Sequence, residues 1–506
     1  MTKYYTPLII VLFALGIALR AVEVVGGNYL FGFDQGRDYL AAYNIVENHK
    51  FTLIGSEIGA GSAGLNGIFH GPGYYYLISL MYLLFHGDPY GGLVLMFGFG
   101  AATLVITYVT TKKMFGDSTA LLSLFLVGIS PLIVSQSRFM WNHHPSSFFI
   151  VMALYLTYLI PKKPRVYAPL AMFTSGFIYH FELAIAVPMV LALVIALPLI
   201  FSVKDVKTYV YSFLAVAFAF SPLLLFDSRH GWPAMHSLIN YFSGSANTTR
   251  EISLMRLSDH IVSYLNNAAN SFMFKTTYAN DRIFMVLGAG LFVALIVLAV
   301  KTKNILLQKL FRFLLMLMLV SYGVLLFLNN CIWDYYLIHA HFVYMYVCAY
   351  SFICLMTKWR KSIWAKIGLV ILAGYLLVMG GFSFDRIIKN IRYDFRDFGG
   401  VEKIKGKRQA IDYIYRDAAG KAFSEFTFMA PIYTYPYDYL FKTYGKNTYG
   451  YVPGNEKKGL VYLLIEPDNS KPWTYKGWLE TVIVGGDIIR TTTLSTGHII
   501  QVRQFP

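Results

Sequence analysis

The 506-residue sequence predicts a polytopic α-helical membrane protein of about eleven transmembrane helices, followed by a C-terminal extracytoplasmic α/β domain. Three observations lead there. Hydrophobic residues make up 56% of the chain and charged ones only 14%, well below the ~25% charged share of soluble domains, so water is not its main solvent. Apolar runs long enough to cross a ~30 Å hydrocarbon core recur through most of the chain. Clusters of Lys and Arg fall in alternate loops between those runs, and such a bias sets orientation in a bilayer.

The first run, from about Pro7 to Val25, is too long for a signal-peptide core and lacks a small-x-small cleavage site, so it reads as a retained first helix. Further spans are expected near 90–111, 118–136, 146–160, 166–181, 183–201, 208–226, 283–300, 308–328, 336–357 and 363–383. The stretch 166–201 is divided at Tyr179-His180-Phe181-Glu182, because an undivided helix would carry those polar groups into hydrocarbon. The run 74–85 is too short to span, so it is expected to lie on the outer leaflet as an interfacial helix.

With the N-terminus inside, one face then holds Lys112-Lys113, Lys162-Lys163-Pro164-Arg165, Lys204 with Lys207, Lys301 with Lys303, and Lys358-Trp359-Arg360-Lys361. The expected domains are a transmembrane unit, 1–383, with outer loops at 26–88 and 227–282, and an outer unit, 384–506. The tail reads as α/β from a helical segment at Gly406–Ala419 and β-rich runs at Gly459–Ile465 and His498–Val502.

The net charge of +16 does not signal a nucleic-acid partner, since the cations sit in short loops and the tail, where they serve orientation. Three cysteines, Cys331, Cys348 and Cys354, form no C-x-x-C pair and no disulfide framework. No G-x-G-x-x-G follows a strand, so a nucleotide-binding Rossmann unit is not expected.

The informative polar residues cluster on the outer side. They are Phe33-Asp34-Gln35-Gly36-Arg37-Asp38, Asn66–Gly73 with His70, Ser137–Pro145, Tyr179–Glu182, Asp227–Gly231 and Trp333–His339. Carboxylates beside Arg, His and aromatic rings at a lipid interface suit a site that holds a phosphate and takes a proton from a hydroxyl. For any single member a solvated helix cap or an interfacial anchor is the commoner role, at ~70% for a lone Arg or Asp.

Asp34-Gln35-Gly36-Arg37-Asp38 after the first span, His70-Gly71-Pro72-Gly73-Tyr74-Tyr75-Tyr76, Arg138 with Trp141-Asn142-His143, and Phe226-Asp227-Ser228-Arg229-His230-Gly231 together resemble family-39-like glycosyltransferases of the GT-C superfamily. Relatives of that kind include protein O-mannosyltransferases and the aminoarabinose transferase of lipid A. The resemblance, which runs over roughly residues 1–385, implies transfer of a sugar from a polyprenyl-phosphate donor to a glycan, lipid or protein acceptor outside the cytoplasm. It implies a multi-pass protein of the cell membrane, in contact with membrane lipids and with no nucleic acid.

Carried onto this sequence, the resemblance makes Asp34 the general base, with Gln35 replacing the family's following Glu and Asp38 offering a second carboxylate one turn on. Arg138 is expected to hold the donor phosphate, helped by His70, Arg37, Arg229 and His230. His70 stands where the aminoarabinose transferase has Lys-Pro, exchanging a fixed cation for a titratable one. Tyr74, Tyr75, Trp141, Asn142, His143, His180 and Glu182 are the expected sugar and acceptor contacts.

Because a phosphate monoester held by guanidinium groups leaves well, one carboxylate acting as base in a single displacement suffices, and the product is inverted. No cofactor is expected, and a divalent metal is not demanded. The competing readings are a flippase or transporter for a lipid-linked saccharide, and a polysaccharide polymerase. Inverted repeats and broken helices would favour the first.

Overall fold

The computed structural model describes residues 2–58, 67–243, 254–272, 281–326, 333–358, 400–430, 433–468, 470–471 and 473–506, with scattered positions between 362 and 389. The first expected span is α1 (Thr2–Arg20) with a short α2 (Val22–Gly26), and α3 (Phe33–Glu47) and α4 (Gly73–Leu84) follow in the first loop. Then come α5 (Tyr90–Phe115), α6 (Asp117–Ile129), α7 (Pro131–Ser135), α8 (Ser146–Leu159), α9 (Pro164–Phe177) and α10 (Leu183–Leu199). The series continues with α11 (Val206–Ala219), α12 (Ser221–Arg229), α13 (Pro233–Ser243), α14 (Leu254–Asn270), α15 (Asp281–Lys301), α16 (Ile305–Leu326) and α17 (Ile338–Lys358).

By length and composition, three helices among the described residues are apolar enough to cross a membrane: α5, α16, and α17 with the short turn before it. A fourth arises if α11 and α12, bent by 62°, form one span, and several other apolar helices are shorter. The expected span 118–136 is interrupted. Pro131 has no N–H, so α6 stops at Ile129 and the chain restarts as α7. That break leaves carbonyls of the preceding turn without helical donors, and the buried Arg20 of α1 donates to Val127 and Gly128 at 3.0 and 2.8 Å. The eleventh expected span, 363–383, falls partly outside the described residues, and the positions that are described there are helical. Cys331 and Asn66 lie outside them.

The division of 166–201 falls where the polar residues demand it. α9 ends at Phe177, a 3₁₀ turn covers Ile178–His180, and Glu182 caps α10 by accepting a hydrogen bond from Ala184 N at 3.1 Å.

The C-terminal unit is a four-stranded mixed sheet in the order β1-β2-β4-β3. β1 (Ser424–Phe428) runs parallel to β2 (Gly459–Ile465), and β4 (Ile499–Phe505) pairs antiparallel with β2 and with β3 (Asp487–Thr493). β2 is buried on both faces, which is why its sequence is a continuous apolar run. Tyr462 and Leu464 meet Ile411 and Ile414 of helix α18 (Ile404–Ala418), while Val461 and Leu463 pack with Ile483 and Phe505 on the other side. Each aliphatic side chain buried this way is worth ~1.5–3 kcal/mol relative to exposure.

This unit sits directly on the first loop. Phe31 N donates to Glu402 O and Ile404 N to Tyr29 O, at 3.1 and 2.9 Å, and Arg408 pairs with Asp88 at 2.9 Å. Helix α19 (Tyr435–Leu440) lies across α3 at Gly36, where a Cβ would stand 2.3 Å from Pro436 N, so backbone meets backbone and only glycine fits.

Candidate active site

A cavity of about 150 Å³ opens between α3, the 56–58 and 70 segments, the 141–143 loop, Glu182 and the 335–336 turn. Asp34, Arg37, His70, Trp141, Asn142, His143 and Glu182 line it, joined by Phe33, Ser56, Glu57, Tyr335 and Tyr336. Seven of the expected site residues thus converge from four separate stretches of chain.

The first turn of α3 presents the charged pair. Arg37 Nη1 lies 2.8 Å from Asp34 Oδ1, and Nη2 lies 2.7 Å from Asp38 Oδ1. Gln35, where the family pattern has Glu, fastens this turn: its Oε1 accepts from Gly32 N at 2.9 Å and its Nε2 donates to Met140 O at 2.6 Å. One amide therefore caps α3 and ties it to the loop bearing Trp141–His143, a task that needs a donor and an acceptor and that a carboxylate cannot perform.

The other wall is aromatic. His143 stacks on Tyr335 with centroids 4.5 Å apart and planes at 12°, and Trp141 lies 5.4 Å from Tyr335. Asn142 Nδ2 donates to Phe181 O at 2.6 Å, which holds this loop against the α9–α10 break.

Burial sets the charge states. It pushes the Asp38 carboxyl up to about 6, a rise that Arg37 opposes and Asp34 reinforces. Burial lifts Glu182 to about 8 against the hydrogen bond from Ala184 N, so Glu182 carries a proton at pH 7. Burial, with Arg37 nearby, depresses His70 to about 3. His70 is a neutral imidazole, not the titratable cation expected from its position. Burial works against the Arg37 charge, but Asp38, Tyr75 and Asp34 outweigh it and hold Arg37 cationic.

Other expected residues lie outside the cavity. Arg138 is taken by Glu23, with Nε donating to Oε2 at 2.6 Å and Nη2 to the other oxygen, so its guanidinium serves an ion pair with α2. Asp38 is buried at 2% exposure behind Arg37. Tyr74 and Tyr75 are packed beneath α3 in the same apolar cluster as Tyr39. His180 Nδ1 accepts from Gly73 N at 3.1 Å, and its ring fills the space a side chain at Gly71 or Gly73 would need. Arg229 is exposed, and His230 stacks on Phe226 at 4.2 Å. Asp227 caps α13 through Ala234 N at 2.8 Å.

Sequence reasoning passed over Glu57, which accepts from Gly67 N at 2.8 Å and is brought in by a bridge between Glu57 and Phe69. That pairing joins two loop segments and leaves no periodic trace. Tyr335 and Tyr336 stood among the noted polar clusters without an assigned role. Among the described residues no group of three or more His, Cys, Asp or Glu is arranged to hold a metal ion.

A family profile described as dolichyl-phosphate-mannose-protein mannosyltransferase matches residues 69–226, which include His70, Trp141–His143 and Glu182. No curated protein sequence matches the chain. Among solved structures, ArnT from Cupriavidus metallidurans in the apo state is similar with a TM-score of 0.57 at 11% identity, over 99% of this chain and 98% of that one. The same protein bound to undecaprenyl phosphate is similar with a TM-score of 0.56 at 10% identity, again over 99% and 98%.

The chain resembles the GT-C glycosyltransferases. At this identity the ArnT likeness concerns the fold, and it extends through the C-terminal unit because nearly the whole of both chains is covered. The profile adds sequence likeness to the mannosyltransferases over helices α4 to α12.

Proposed function

We propose that the chain is a multi-pass cell-membrane glycosyltransferase that moves a sugar from a polyprenyl-phosphate donor to an extracytoplasmic glycan, lipid or protein hydroxyl, with inversion. One observation carries this reading: Asp34 and Arg37, one helical turn apart, face the same cavity beside a stacked aromatic wall. The mannosyltransferase profile supports it, as does the likeness to ArnT, a structure of which is bound to undecaprenyl phosphate.

In this mechanism Arg37 holds the donor phosphate through its planar set of N–H donors, and Asp34 takes the proton of the acceptor hydroxyl. The acceptor oxygen bonds to the anomeric carbon as the bond from that carbon to the phosphate oxygen breaks, and polyprenyl phosphate leaves. Protonated Glu182 donates a hydrogen bond to the sugar or to a phosphate oxygen, and Trp141, His143 and Tyr335 offer ring faces to the pyranose. Asn142 positions this loop. Arg37 takes the phosphate role expected of Arg138, because Arg37 lines the cavity and Arg138, paired with Glu23, does not.

No metal is required in this scheme. The Arg37 guanidinium, which Asp34 and Asp38 orient, donates to the phosphate oxygens directly. The C-terminal unit, seated on α3, belongs to the same outer side.

The test is mass spectrometry of the detergent-purified protein, followed by a transfer assay with the lipid that co-purifies. A polyprenyl-phosphate sugar consumed by the protein, with or without EDTA, and not by Asp34→Asn, is the expected result. A lipid-linked saccharide that crosses vesicles without losing its sugar would instead make the chain a flippase.

A further inference from the structure

The two ends of α10 open into two different cavities. Glu182, at its N-terminus, lines the one described above, while Phe201 and Ser202, just past its C-terminus, line another of about 520 Å³. At 1.5 Å per residue, the 17 residues of α10 set these cavities about 25 Å apart, close to the thickness of a hydrocarbon core.

Three separate segments build the second cavity: the start of α9, the turn between α10 and α11, and α16. Lys163, Arg165, Lys204 and Lys309 face it, against the single carboxylate of Asp205. Asp205 is fully engaged. It accepts from Arg165 at 2.7 and 3.1 Å and caps α11 through Thr208 N and Oγ1. Lys163, Lys204 and Lys309 make no ion pair among the described residues, so three ammonium groups converge on one concavity without a protein anion to offset them. Beside this charge lies apolar surface, with Val166, Leu199 and Val206 exposed at 49%, 71% and 72%.

Uncompensated cations in a cleft next to exposed aliphatic side chains match an amphiphile with an anionic head. We infer that this cavity binds the phosphate headgroup of an anionic phospholipid, with the acyl chains lying along Leu199 and Val206. The inference is independent of the transfer reaction proposed above. A free phosphate would satisfy the lysines and leave the apolar rim unexplained, whereas a basic pocket between helices at one membrane face is a recognised setting for acidic headgroups.

The experiment uses the purified full-length chain in detergent, with lipid binding read by native mass spectrometry and thermal shift. Phosphatidylglycerol, phosphatidylcholine and inorganic phosphate are the probes. Phosphatidylglycerol should bind at least ~10-fold more tightly than phosphatidylcholine, and Lys163→Gln/Lys204→Gln/Lys309→Gln should erase that preference. The matching triple Lys→Arg variant should retain it, which separates loss of charge from loss of fold. If the triple Gln variant does not fold, each single Gln variant should weaken the preference. Equal stabilisation by inorganic phosphate would overturn the lipid assignment, and a preference that survives all three Gln substitutions would overturn the site.

Discussion

Arg37 Nη1 lies 2.8 Å from Asp34 Oδ1, and both side chains enter one cavity, whereas Asp38, on the far side of the guanidinium, does not. Asp34→Asn is therefore expected to lower transfer by ~10²–10⁴-fold while donor binding and folding persist, as the loss of a positioned proton acceptor requires. Asp38→Asn should cost less, acting only through the set of Arg37. Steady-state transfer rates of the two variants decide this, and a larger loss at Asp38 would move the base one turn along α3.

The two arginines should behave oppositely. Arg37→Lys is expected to weaken donor binding by about 1.5–3 kcal/mol, since an ammonium cannot reproduce a planar fork. Arg138→Ala should leave donor affinity unchanged and destabilise the fold by about 3 kcal/mol, because Glu23, only 8% exposed, would lose its partner. Donor titration and thermal unfolding measure the two effects, and Glu23→Gln should restore part of the stability lost at Arg138.

Glu182 supplies a pH signature. Its folded carboxyl, at about 8, binds a proton more tightly than the unfolded one at its ordinary 4.5, so its contribution to stability falls as pH rises from about 4.5 to 8 and is gone above that. Asp38 adds a fall of the same sign between 3.8 and about 6. Glu182→Gln imitates the protonated acid. It should keep transfer at pH 7 and abolish the alkaline decline near pH 8. An unchanged alkaline limb in that variant would remove Glu182 from the profile.

His70 is expected to contribute no limb between pH 5 and 7, because burial keeps it neutral down to about 3. The pH–rate curve of His70→Gln should have the same shape as that of the unchanged protein, at whatever height. A limb near pH 6 that disappears in this variant would show that His70 is charged in the working site.

β2 and α10 were legible in the sequence because each rests on a continuous apolar pattern, whereas α13 and α14, inside the expected loop 227–282, and the break before Pro131 were not. The cavity was legible in part. Asp34, Arg37, Trp141–His143 and Glu182 announced themselves as polar residues beside apolar runs, where hydrophobicity gives no reason for them. Arg138 announced itself equally, but its partner Glu23 is 115 residues away and no local pattern reports a pairing at that range. Glu57 was hidden for the same reason, since a bridge between two loops places it. The role of Gln35 was legible only as a departure from the family pattern, and its geometry turned that departure into a cap.

The seat of Pro436 on Gly36 also sets a timetable. These residues are 400 positions apart, so at ~5–20 residues per second a ribosome completes α3 some 20–80 s before it supplies the backbone that closes over it. For that interval the turn of a nascent chain that bears Asp34 and Arg37 is unroofed. A chain truncated before residue 436 would keep helices α1 to α17 and still present an unfinished surface, which gives the cell's quality control something to recognise.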